Sequence, residues 1–198
     1  FPIQSIQVLV NNSPVLGVNG KDVSMLNTKE IVQEVTIPLA SGNNAIKVYC
    51  TNNQGISSLK ESFTVLSTFN KDSVTKIYFV GIGVANYLDK EMNLTYSAKD
   101  IRDLAADFSR VFSKKFVVVI DTLLDQNVTV ENIGLLKKRL LKTTPNDRVI
   151  IAITGHGILT DSLNFYYATY DVNFAKPEQR GLPYELIEGL LDDVPAQE

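Results

Sequence analysis

The chain has 198 residues, a length that suits one large domain or two small ones. Its net charge of -3 at pH 7, without a stripe of Lys and Arg, argues against an electrostatic nucleic-acid binder, and no apolar run approaches the length that crosses a membrane. One cysteine and one histidine exclude an internal disulfide and argue against a zinc centre, so we expect no metal and no cofactor.

Residues 1–68 show the pattern of an all-β module. Apolar residues alternate with polar ones, and the segments are separated by turns rich in Asn, Gly and Pro. Short strands at this spacing predict an antiparallel β-sandwich. Cys50 is interpreted as a small core residue rather than a nucleophile. The predicted inward positions are Ile6, Val8 and Val10; Ile31, Val35, Ile37 and Leu39; Ile46, Val48 and Cys50; and Phe63 and Val65.

The polar segment 69–75 is predicted to be a linker, because the periodicity of the sequence changes beyond it. Apolar runs then replace alternation, as is typical of strands that are covered on both faces. Gly81 and Gly83 fall in the first run, where they favour close packing at the end of the strand. The three predicted strands cover 77–84, 116–120 and 149–153.

Helical patterns separate these strands. Apolar residues recur at helical spacing over 98–112, and a second helix is predicted to begin after an N-cap at Thr129. The order strand, helix, strand, helix, strand predicts an α/β domain over 76–198, with a mostly parallel sheet and helices on both of its faces. A short strand over 164–169 and a final helix over 184–191 are expected to follow.

The third predicted strand ends abruptly at His156, which is flanked by Gly155 and Gly157. The two glycines let the backbone turn and approach a neighbour closely. The carboxyl end of a parallel strand is where open α/β sheets place ligands and chemistry. We therefore predict a functional role for His156 rather than a plain turn position.

Two parts of the chain resemble known families. The segment 37–48, IPLASGNNAIKV, resembles bacterial immunoglobulin-like modules. From Lys76 onward the chain resembles the large-subunit region of caspase-like cysteine peptidases, close to bacterial metacaspase-type proteins. The matching motifs are Gly81-Ile82-Gly83 followed by Asn86-Tyr87, the segment from Leu94 to Ile101, Thr154-Gly155-His156-Gly157, and Tyr170-Asp171; the departures are Tyr96, Ser97 and Ile101.

This resemblance implies a caspase-like three-layer domain with cysteine endopeptidase activity on polypeptide substrates. It implies that His156 is the general base and that the Gly157 amide helps to form the oxyanion hole. Asp100 matches the acidic residue that holds a basic side chain at the scissile position, so cleavage after Arg or Lys is expected. Asp171 is a second candidate for substrate binding. The alternatives are that Asp100 stabilises the start of its helix and that Asp171 is a turn residue.

The resemblance also places the nucleophilic cysteine beyond residue 198, since it follows the histidine by roughly 50 residues in caspases. We therefore expect residues 1–198 alone to be inactive and to need a C-terminal segment or small subunit that carries the cysteine. Glu198 would then mark a truncation or a processing site. Two alternatives stay open: a non-catalytic caspase-like scaffold or interaction module, and a nucleotide-binding α/β domain, which Asn86 disfavours because the third fingerprint glycine would fall there.

Overall fold

A computed structural model describes residues 1–68 and 74–196. They group into two compact units. The first unit contains residues 1–68 with Thr143–Asp147 and 192–196, and the second contains Val74–Lys142 and Arg148–Leu191. Most of the predicted linker lies outside the described residues. The fold is mixed α/β, with one parallel sheet of three strands and two antiparallel sheets.

The first unit is built around one antiparallel sheet of five strands. Its strand order is β2-β1-β4-β5, with β3 also paired to β1. Val8, Val10 and Ile46 form its buried cluster. The strands are β1 (Ile3–Val10), β2 (Ser13–Pro14), β3 (Lys21–Asp22), β4 (Gly42–Asn52) and β5 (Glu61–Ser67).

The strand predicted through Ile31, Val35, Ile37 and Leu39 is wrong, because residues 31–40 have no regular secondary structure. Ile37 and Leu39 nevertheless pack against the buried cluster of the sheet. Their alternation therefore reflects contact with a sheet face rather than pairing with a neighbouring strand. One sheet is found among the described residues of 1–68, so the predicted two-sheet sandwich is not confirmed.

The second unit has the predicted order of strands and helices. β6 lies in the middle of the parallel sheet, between β7 and β8, so the prediction of three adjacent parallel strands is confirmed. Thr129 caps the second helix as predicted, since its hydroxyl accepts the Asn132 N–H at 3.2 Å. The elements are β6 (Lys76–Gly83), α1 (Ser97–Phe112), β7 (Val117–Leu124), α2 (Val130–Leu140) and β8 (Arg148–Thr154).

Helices contact both faces of this sheet. On one face, Phe108 of α1 packs against Phe79 of β6 with ring centroids 5.1 Å apart. A Cβ added at Gly81 would lie 2.4 Å from Ile101 of α1, so glycine here permits the close approach that the sequence indicates. Asp121 of β7 pairs in register with Val80, on the opposite face from Phe79, and Arg139 of α2 donates to that carboxylate at 2.6 Å.

The exposure of β8 corrects the prediction that this strand is covered on both faces. None of its seven residues is fully buried, and Ile150 is 43% exposed. In the part of the chain that the structure describes, no strand pairs with its outer edge. Apolar composition identified the strand but could not show how far its faces are covered.

A small antiparallel sheet follows the parallel one. It consists of β9 (Gly157–Leu159), β10 (Phe165–Tyr167) and β11 (Leu182–Pro183), in the order β11-β10-β9. The last helix, α3 (Tyr184–Glu188), begins as predicted but ends earlier. Within residues 1–68 and 74–196, no helix is long and apolar enough to cross a membrane.

Candidate active site

His156 lies directly after β8, at the carboxyl end of the parallel sheet. Its half-buried imidazole is held between two aromatic rings. The centroid of the Tyr87 ring is 5.3 Å from that of the imidazole, and the Phe174 ring meets the imidazole edge-on at 5.8 Å. Tyr87 is completely buried. These contacts restrict rotation of the imidazole. A side chain that must present one particular nitrogen to a reacting group needs such restriction.

A backbone carbonyl determines which imidazole nitrogen carries the proton. The Nε2 atom of His156 lies 2.9 Å from the carbonyl oxygen of Met92. Because a carbonyl can only accept, Nε2 must be the protonated nitrogen. Nδ1 has no hydrogen-bond partner among the described residues, so in the neutral imidazole its lone pair is available to take a proton.

Gly155 is required at the turn into the site. Its φ of +147° lies in a region that side chains rarely adopt, and a Cβ there would lie 3.0 Å from the Tyr87 hydroxyl and 2.9 Å from the Tyr167 hydroxyl. The Tyr87 hydroxyl accepts the His156 backbone N–H at 3.0 Å. Burial raises the pKa of Tyr87 despite that donor, so the hydroxyl stays neutral.

The Gly157 N–H is not used in the neighbouring strand ladder. The Ala168 N–H donates to the His156 carbonyl at 2.9 Å, while Gly157 pairs with Tyr167. In an antiparallel ladder this pattern makes Gly157 and Tyr167 a pair without direct hydrogen bonds. Gly157 is exposed, so its N–H can donate to a bound group. The Phe165 ring lies 2.6 Å from where a Cβ would be, so a side chain here would require that ring to move.

Asp125 contributes a carboxylate at the same edge of the sheet, directly after β7. One of its oxygens accepts the N–H groups of Ala85 and Asn86, each at 2.9 Å. Burial opposes its ionisation, but these donors and Arg102 lower the pKa of Asp125 below its usual value. Our sequence analysis missed this residue. Its position after the second parallel strand was a usable signal, because the carboxyl ends of parallel strands meet at one edge.

Asp100 lies on α1 and is exposed. It makes no side-chain hydrogen bond or ion pair with a described residue. It is one helical turn beyond Ser97, whose carbonyl accepts the Thr154 hydroxyl at 3.0 Å, so the first turn of α1 lies against the end of β8. The structure therefore leaves the Asp100 carboxylate available to a ligand.

Asp171 is already occupied. Its carboxylate forms an ion pair with Arg180 and accepts a hydrogen bond from the Thr169 hydroxyl at 3.3 Å. A substrate side chain would have to displace Arg180 to use it. Asp171 therefore connects two loop segments through these contacts. Its role in substrate binding stays an untested prediction.

The second unit contains no thiol, because the chain's one cysteine, Cys50, lies on β4 of the first unit. Cys50 is half-buried and lines an apolar groove of about 510 Å³. No group of three or more His, Cys, Asp or Glu side chains suited to a metal ion occurs within the described residues. The candidate site thus offers an oriented imidazole and a backbone N–H donor.

Comparison with known proteins adds little to this picture. No protein-family model matches the chain, and no curated protein matches it. A similar solved structure is that of protein GSU0716 from Geobacter sulfurreducens, which is 17% identical over 59% of this chain, with a TM-score of 0.47. The match covers 44% of that protein, so this chain spans less than half of its length.

Proposed function

We propose that the second unit is the histidine-bearing part of a caspase-like cysteine endopeptidase, in which His156 is the general base. The supporting observation is the fixed imidazole: Nε2 is committed to the Met92 carbonyl, and Nδ1 is left to accept a proton. In such a reaction Nδ1 takes the proton of the attacking thiol and returns it to the leaving amine. The Gly157 N–H is the proposed donor to the tetrahedral oxyanion.

The thiol must come from residues other than the described part of the second unit. The proposal places it on a further strand, beyond residue 198, that extends the parallel sheet at the outer edge of β8. Two features of β8 support the proposal: no described strand pairs with its outer edge, and the apolar side chain of Ile150 is exposed. We further propose that the second unit is the three-layer caspase-like domain and that the first unit is an immunoglobulin-like module.

Cleavage after Arg or Lys is the proposed specificity. The exposed carboxylate of Asp100, which has no partner among the described residues, supports it over Asp171, which is paired with Arg180. A carboxylate near the end of β8 can form a charge-assisted hydrogen bond with a guanidinium or an ammonium group.

The test uses the complete protein and peptide substrates that differ only at the scissile residue. We expect cleavage after Arg or Lys, its loss in a folded His156→Ala protein, and a lower kcat/KM in Asp100→Ala. Asp103→Ala is the matched control for Asp100, because it removes another exposed carboxylate from the same helix. Preference for Asp, or turnover by His156→Ala near the wild-type rate, would contradict the proposal.

A non-catalytic interaction protein is the second candidate, and the apolar groove of the first unit favours it. This groove is lined by Ile6, Ile37, Ile46, Val48 and Phe63, and Phe63 is 55% exposed. Apolar surface of this kind often marks a binding region. The two candidates differ in one covalent requirement: the peptidase needs a cysteine roughly 50 residues after His156, and the scaffold does not.

A further inference from the structure

Asp125 anchors the loop that follows β6. Its carboxylate accepts two adjacent backbone N–H groups, those of Ala85 and Asn86, on one oxygen. The other oxygen faces the Arg102 guanidinium at 3.9 Å. Hydrogen bonds to an ionised acceptor are stronger than those between neutral groups, so this contact fixes the first residues of the loop to the end of β7.

The same loop carries Tyr87 and Met92, which contact the imidazole, whereas Phe174 lies elsewhere. The loop closes on itself, because the Leu94 N–H donates to the Ala85 carbonyl and the Tyr87 N–H donates to the Asn93 side chain, each at 2.8 Å. Met92, whose carbonyl accepts from Nε2 of His156, lies within this closed loop. A shift of Ala85 would therefore move both Met92 and Tyr87 relative to His156.

The backbone of Asp125 is held in an unfavourable conformation. Its φ is +48°, in the left-handed region that costs energy for a residue with a side chain, although Asp tolerates it better than most. A strained residue that its surroundings hold in place is a mark of functional positions.

We propose that Asp125 is a positioning residue for His156. Its carboxylate fixes the loop that presents the Met92 carbonyl, and this carbonyl keeps the proton on Nε2 and the lone pair on Nδ1. The inference rests on the proposed function for its catalytic meaning. The geometric claim, that Asp125 controls the Nε2–H hydrogen bond, can be measured without any substrate.

Three variants distinguish the effect of the Asp125 carboxylate from the effect of its backbone conformation. Asp125→Gly removes the carboxylate and tolerates the positive φ, so its effect does not arise from new backbone strain at this position. Asp125→Asn keeps an acceptor oxygen and tolerates the same backbone conformation. Asp121→Asn is the matched control, because it removes a carboxylate of β7 that pairs with Arg139 of α2 and does not contact the loop.

The readout is the exchange of the Nε2 proton with water, measured by NMR after labelling of histidine with ¹⁵N. The chain has one histidine, so the signal needs no further assignment. We expect exchange in Asp125→Gly to be about fivefold faster than in the wild type, the factor that one net hydrogen bond supplies. Asp121→Asn should exchange at nearly the wild-type rate. Asp125→Asn should lie between that rate and the rate of Asp125→Gly, because a neutral oxygen accepts the two N–H groups more weakly.

An unchanged rate in folded Asp125→Gly would overturn the proposal. If that variant does not fold, Asp125→Glu decides, because it keeps the charge but moves the carboxylate by one methylene; an unchanged rate there overturns the proposal equally. The outcome is distinct from that of the proposed function. Suppose that exchange is faster in Asp125→Gly but the complete protein stays fully active with His156→Ala. His156 would then not be the base, while the positioning role of Asp125 would stand.

Discussion

The two large sheets are both built on apolar strands, but their inner strands are buried to different extents. In β6 of the second unit, six of eight residues are buried, because helices lie on both sides. In β4 of the first unit, two of eleven residues are buried. A groove of about 510 Å³ remains beside the first sheet, bordered by residues of the irregular segment 31–37.

The difference follows from connectivity. A crossover between parallel strands carries a helix back over the sheet, so the cover is part of the fold. Antiparallel strands can be joined by tight turns, and these place nothing on the sheet face. In the first unit an irregular segment must provide the cover, and it does so incompletely.

The largest expected effect tests whether the half-covered sheet still has a true core. Ile46 is 1% exposed, whereas Val32, in the covering segment, is 97% exposed. Ile46→Ala should lower the free energy of unfolding by about 2–5 kcal/mol, because it leaves a cavity. Val32→Ala should change it by less than about 0.5 kcal/mol. Urea unfolding measures both, and equal effects would mean that the sheet face is not packed as described.

The second prediction contrasts two glycines of the second unit. Gly155→Ala should destabilise by about 1–3 kcal/mol, because φ is +147° and the tyrosine hydroxyls occupy the space. Gly134→Ala, in the exposed face of α2 with nothing within 4 Å, should stabilise by up to about 1 kcal/mol. Thermal unfolding shows whether each variant is more or less stable than the wild type. A neutral Gly155→Ala would show that the turn before His156 can relax.

The third prediction concerns one buried hydroxyl. Tyr87→Phe removes the acceptor of the His156 backbone N–H and should cost about 1–3 kcal/mol. Tyr78→Phe is the matched control on β6, since its hydroxyl has no described hydrogen-bond partner and its loss should be nearly neutral. Equal melting temperatures for the two variants would show that water replaces the tyrosine oxygen.

The sequence predicted the second unit well because local pattern and global topology agree there. Helical spacing, the N-cap at Thr129 and three apolar runs each have one simple structural meaning. The same rules failed at 31–40, where alternation arises from packing of Ile37 and Leu39 on a sheet rather than from pairing within it. Periodicity records which side chains face inward, and it does not record where the backbone hydrogen bonds go.

The candidate site, like the fold, was predicted only in part. The flanking glycines and the strand end identified His156 as a candidate, and the hydrogen bond to the Met92 carbonyl then gave its tautomer. The Met92 carbonyl could not have been predicted, because a backbone acceptor leaves no trace in residue type. Phe174 lies in a loop without periodicity, and the pairing of Asp171 with Arg180 depends on a loop conformation that residue spacing does not fix.

The smallest expected effect is the pH dependence that Asp125 adds to the stability of the second unit. Its pKa is lower in the folded chain than in the unfolded chain. The ionised carboxylate therefore contributes stability that is complete above the unfolded pKa, about 3.9, and is lost as the pH falls through the folded value. We expect the free-energy difference between wild type and Asp125→Asn, measured by urea unfolding, to be constant from pH 7 to 5. It should shrink as the pH falls below about 4. Every other carboxylate is the same in both proteins, so its titration cancels in this difference to first order. A difference that stays constant or grows at low pH would mean that the two backbone donors do not stabilise the charged form.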